Sequence, residues 1–151
     1  MDKNKILIQL SESPLTKVGK EEFAQQSGPQ KVFTAVWEVE SEVNNGGFAQ
    51  YFSNESAESA PFVVEALETI GASQTAAICR RAILTAFPNG LPRTVEAIRL
   101  AADDFSEEIV EKLGSFDQEF FAYPHSLTDL LFAYVSARPD EFGTLLKPPD
   151  D

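Results

Sequence analysis

Cysteine, histidine and tryptophan are nearly absent from this chain, one of each in 151 residues. The lone Cys79 has no partner for an internal disulfide and fits a reducing compartment. The lone His125 would have to serve any triad or metal centre by itself. His125 and Asp129 are four apart and can share a helix face, with Glu119 as a third ligand, but no second histidine completes the set. No metal and no cofactor is expected. Missing too are a G-x-S-x-G elbow, a G-x-G-x-x-G loop, and a Lys-Ser or Lys-Thr after "NNGGF" to make a phosphate loop. No run approaches the roughly 18 apolar residues of a membrane-spanning helix. The opening "MDKNKILIQL" holds an apolar stretch too short for the core of a secretion signal. The expectation is a soluble, cytoplasmic, non-enzymatic protein with no membrane association.

Positive charge is the other shortage. Twelve Lys and Arg face 24 Asp and Glu, for a formal net charge of -12. Such a chain repels nucleic acid and anionic membranes and attracts basic partners or cations. The imbalance is local. Residues 37–70 carry seven Glu and no base, residues 102–151 carry twelve acids and three bases, and the four Arg at 71–101 offset part of this. "DDFSEEIVE" sets Asp103, Asp104, Glu107, Glu108 and Glu111 three and four apart. As one continuous helix this would be a ridge of carboxylates about 6 Å apart along the axis. Alternatively Ser106 breaks it, and Glu107 and Glu108 sit in the favourable first turn of a new helix. Arg80 and Arg81 could hold an anion, but in so acidic a chain they more readily form internal salt bridges.

Hydrophobic residues make up 43% of the chain, twelve of them Phe, enough for one packed domain. The expected organisation is an arm and short helix over 1–28, a helical domain over 29–145, and an acidic tail over 146–151. In "PQKVFTAVWEVESEV", Val32, Val36, Val39 and Val43 follow helical spacing for longer than the competing alternation persists. Pro29 suits a helix start. Val63, Leu67 and Ile70 face inward before a stop at Gly71, and Ala76, Cys79, Ile83 and Phe87 line a helix that Ser73 should cap. Two more helical stretches follow. A last one begins at a capping box of Ser126 and Asp129. The fold class is all-α, a single-domain compact bundle of six to eight helices.

"EVNNGGFAQYF" contains Asn-Gly, a strong hairpin signal. The aromatics after it fall at 48, 51 and 52, which is helical spacing, so a tight helix-to-helix turn is expected instead. Its glycines would take positive φ, Asn44 and Asn45 would satisfy backbone groups at the helix ends, and Glu42 would cap the second helix.

"WEVESEVNNGGFAQYFSNES", with "ALETIGA" and "FFAYPHSLTDLLFAYVSARPDEF" further on, resembles the bacterial DNA-mimic protein family of the nineteen-kilodalton type, part of a larger helical family of unknown function. The likeness spans roughly residues 30–145, and Trp37, Glu42, Val43, Asn44, Asn45, Gly46, Gly47, Phe48, Gln50, Phe52 and Asn54 carry it. It implies an all-helical acidic domain that occupies the DNA-binding surface of a transcription factor. The partner would be a basic DNA-binding protein of, for example, helix-turn-helix type. The phosphate stand-ins would be Glu107, Glu108 and Glu111, then Asp103 and Asp104, then Glu38, Glu55 and Glu58. A homo-oligomer is compatible with the sequence. Two other readings stand beside this one. In the first, a small-ligand or peptide site uses Asn44, Asn45 and Gln50 with Trp37, Phe48 and Tyr51 as lining. In the second, an enzyme uses Glu42 or His125 as acid or base.

Overall fold

The computed structural model describes residues 2–12 and 21–143; the expected acidic tail lies outside them. Among the described residues there are eight α-helices and no strand. They are α1 (Lys3–Glu12), α2 (Gly28–Ser53), α3 (Ala60–Thr69), α4 (Ser73–Ala86), α5 (Val95–Asp103), α6 (Glu107–Phe121), α7 (Leu127–Ser136) and α8 (Pro139–Phe142). Two 3-10 segments, Phe23–Gln25 and Glu55–Ser59, precede and follow α2. None of these helices is long and apolar enough to cross a membrane.

The 26-residue α2 is the spine. It packs against α3, α5, α6, α7, α8 and the second 3-10 segment, while α4 bridges α3 to α6 and α1 lies on α7. Its start is a full capping box that the sequence reading passed over. The Ser27 hydroxyl accepts from the Gln30 backbone, and the Gln30 side chain accepts from the Ser27 N–H. Gln30 also donates to the Glu141 carbonyl at 2.7 Å, and the Ser27 hydroxyl to the Glu141 carboxylate at 2.6 Å, which fixes α8 to the head of the spine.

The valine stripe behaves as its spacing predicts. Val36, Val39 and Val43 are fully buried, and Val32 packs at the core's edge. Beyond residue 47 the inward positions become aromatic. Phe48 meets Phe120 edge-on at 5.9 Å, and Phe52 meets Phe87 edge-on at 5.2 Å, so α2 is joined to α6 and to the end of α4. Cys79 is buried in the same core, and burial pushes its thiol up to about 12, away from thiolate chemistry.

Two expected caps differ. Ser73 is the first residue of α4 and caps nothing; instead the Gln74 N–H donates to Nε2 of His125 at 3.2 Å. An imidazole from the α6–α7 connection thus satisfies one of the free amides at that helix start. At α7 the Ser126 hydroxyl accepts from the Asp129 N–H, but the Asp129 carboxylate turns to Lys3 at 3.1 Å, which ties α7 to α1. That ion pair, with Ser126, holds the Asp129 carboxyl below its ordinary range.

Candidate functional site

The residues of the "EVNNGGF" phrase form a braced kink. Two helical segments meet within α2 here, and the break between them is confined to Gly47, with φ 82° and ψ 179°. The expected tight joint between two helices is there, with positive φ at Gly47 but not at Gly46. The amides do not satisfy helix-end backbone. Nδ2 of Asn44 donates to the Tyr123 hydroxyl at 2.7 Å, and that hydroxyl donates to the Glu40 carboxylate at 2.8 Å. Asn45 is exposed. Nor does Glu42 cap the second half. It accepts from Gln50 at 2.7 Å and from Asn54 at 3.1 Å, side chain to side chain across the bend. The capping acid is Asp117 of α6, which accepts from the Phe48 N–H at 2.8 Å.

Three acids therefore hold the kink: Glu42 from within α2, Asp117 from α6, and Glu40 through a tyrosine. Tyr123 has φ 47°, the one non-glycine left-handed residue described, which is where a chain leaving α6 must turn to bring its hydroxyl back to α2. Burial raises the Glu40 carboxyl while Tyr123 donation lowers it, and burial carries the Tyr123 phenol up to about 12. Asp117 is likewise raised by burial, and the Phe48 N–H works against this.

This network leaves little for the ligand-site and enzyme readings at the same place. Phe48 and Tyr51 are fully buried core residues, and the Tyr51 hydroxyl is bonded to that of Ser59 at 2.6 Å, anchoring the second 3-10 segment. Asn44 and Gln50 are engaged as described. Glu42 faces two amides, and His125 accepts at the start of α4.

The acidic positions separate into three groups. Some are paired: Glu68 with Arg80 at 2.6 Å, Glu119 with Arg81 at 2.7 Å, and Glu108 with Lys112 at 3.1 Å. These pairs are exposed and contribute roughly 0–1 kcal/mol each, and they show the two arginines committed to internal salt bridges. A second group is exposed with no ion pair among the described residues: Asp103, Asp104, Glu107, Glu111 and Glu55. Of the two alternatives for "DDFSEEIVE", the break at Ser106 is the one present. Ser106 caps α6 by accepting from the Ile109 N–H at 3.2 Å, so Asp103 and Asp104 end one helix while Glu107 and Glu108 open the next. α5 packs on the 3-10 segment Glu55–Ser59.

The third group is Glu38 with Glu58, both half-buried. The two carboxyls hydrogen-bond to each other. Burial, then the charge of Glu58 and more distantly those of Glu42 and Glu55, raises Glu38 to about 9. It is protonated at neutral pH and stands apart from the exposed carboxylates. Trp37, beside it, stacks on Phe33 at 5.8 Å.

Asp117, Tyr123 and Glu40 were not singled out from the sequence. Asp117 is 69 residues from the amide it caps, and no local pattern marks it. The Ser27–Gln30 box, by contrast, was visible as S-x-x-Q directly before an apolar-periodic run.

Eight helices among the described residues, the kinked α2 their spine, with carboxylates both bracing the interior and standing exposed outside, define an acidic all-helical domain of the class the motif phrase implied. The chain belongs to the DMP19-like protein family, whose model matches residues 24–138. No curated protein and no solved structure matches it.

Proposed function

We propose that this chain is a non-enzymatic interaction protein that acts as a DNA mimic, covering the DNA-binding surface of a basic DNA-binding protein. The observation that carries this reading is the set of exposed, unpaired carboxylates at the α5–α6 junction, Asp103, Asp104, Glu107 and Glu111, on a scaffold of the DMP19-like family. Unpaired surface acids four apart on one helix, such as Glu107 and Glu111, repel one another. A basic groove-reading surface meets them as it meets phosphates, and both sides shed counterions on contact.

Changing Glu107, Glu108 and Glu111 together to Gln tests this. All three are exposed, so the fold should survive. Capture of a basic DNA-binding protein from lysate should fall about tenfold or more at low ionic strength, with a shallower salt dependence. Duplex DNA should displace the partner from the unaltered protein. Capture indifferent to salt, or unmoved by the triple substitution, overturns the reading.

A further inference from the structure

One cavity combines aromatic and acidic walls. Phe33, Thr34, Trp37 and Glu38 form a stripe along the first half of α2. Phe23 of the first 3-10 segment, the end of α1 at Glu12, and Glu55 and Glu58 of the second 3-10 segment enclose it. The space is about 590 Å³, within the ordinary range of small-molecule sites. The stacked rings of Phe33 and Trp37 supply an apolar wall. None of the described lining residues is basic. Oε1 of Glu38 is buried and has no hydrogen-bond partner, while the Glu38 carboxyl is bonded to that of Glu58.

We propose that this cavity binds an organic cation, an ammonium or guanidinium head on a short alkyl stem. Resting on the reading above, the source that fits it most directly is a lysine or arginine side chain of the basic partner. The indole of Trp37 is the best aromatic face for a cation, the apolar wall takes the stem, and the head supplies a donor for Oε1 of Glu38 and an opposite charge beside Glu55 and Glu58. Described acids are not grouped so as to hold a metal ion in coordination geometry, whereas an ammonium or guanidinium needs no such shell.

Trp37 is the sole tryptophan of the chain, so its emission reports on this cavity alone. The full chain is titrated with butylguanidinium and butylammonium chloride, with 1-butanol and sodium chloride as controls. A saturable change with both cations, at millimolar dissociation constants weakened at least tenfold by Glu58→Gln or Glu55→Gln, is the expected result. No saturation, or an equal response to 1-butanol or sodium chloride, overturns the proposal. Binding that emerges only after Lys17→Gln and Lys20→Gln would make the chain's own cations the occupants and overturns it as well. Displacement of a captured partner by butylguanidinium identifies the partner's side chain as the source; simultaneous binding identifies a free amine. Loss of the titration with capture intact removes the cavity and leaves the mimic reading; loss of capture with the titration intact does the reverse.

Discussion

Gly47→Ala is expected to destabilise the protein by about 1.5 to 5 kcal/mol. Two costs combine. Gly47 sits at φ 82° and ψ 179°, a region essentially reserved for glycine, and an L side chain there costs about 1–3 kcal/mol. An added Cβ would also fall on the Asp117 carboxylate, whose Cγ is 2.9 Å from the ideal position. Asp117 must then move and release the Phe48 N–H, a helix-start bond worth about 0.5–2 kcal/mol. Urea denaturation at pH 7 measures the sum. Pairing the substitution with Asp117→Ala makes room for the methyl, so in that background its cost should drop to the backbone strain of about 1–3 kcal/mol. Equal costs in both backgrounds would show that the carboxylate does not oppose the methyl.

That pair of glycines marks where the sequence was legible and where it was not. Periodicity gave the inward valines of α2 and the apolar faces of α3 and α4, because helix burial repeats at short range. Glycine composition pointed to a backbone break, and the break is there, at Gly47 alone. What single-chain spacing could not supply is what holds the bend. Asp117 and Tyr123 arrive from α6 and its C-terminal turn, and their roles come from tertiary placement. Glu42 was assigned a cap because it precedes the break, yet the amides of Gln50 and Asn54 lie closer in the folded helix. The same limit applies to the candidate site. Exposure of Asp103, Asp104, Glu107, Glu108 and Glu111 followed from their polar spacing. Glu38 looked equivalent in composition, and only the packing of α2 against the second 3-10 segment reveals it as a protonated, half-buried carboxyl.

Glu38→Gln is the second large effect, and its sign follows from a carboxyl that keeps its proton in the folded chain. Folding raises the Glu38 carboxyl from 4.5 to about 9, chiefly by burial and then by the Glu58 charge. Between those values the unfolded chain has released the proton and the folded chain has kept it, so stability is fullest below 4.5 and falls as pH rises towards 9. By pH 7 the loss amounts to about 3 kcal/mol, at 1.36 kcal/mol per unit. The raised carboxyls of Glu40, Glu58 and Asp117 add to it in the same direction. A glutamine is neutral at every pH and its amide can donate to Glu58. The substituted protein should therefore gain about 3 kcal/mol at pH 7, roughly 6 to 12 °C in Tm, and gain nothing at pH 4. Thermal melts across pH 4 to 8 decide it; an unchanged slope, or a lower Tm at pH 7, would mean that Glu38 is already ionised in the folded state. The same change removes the charge that a bound cation would draw out, so butylguanidinium affinity should fall while stability rises. Opposite movement of the two would mark Glu38 as a position where the fold carries a cost that binding relieves.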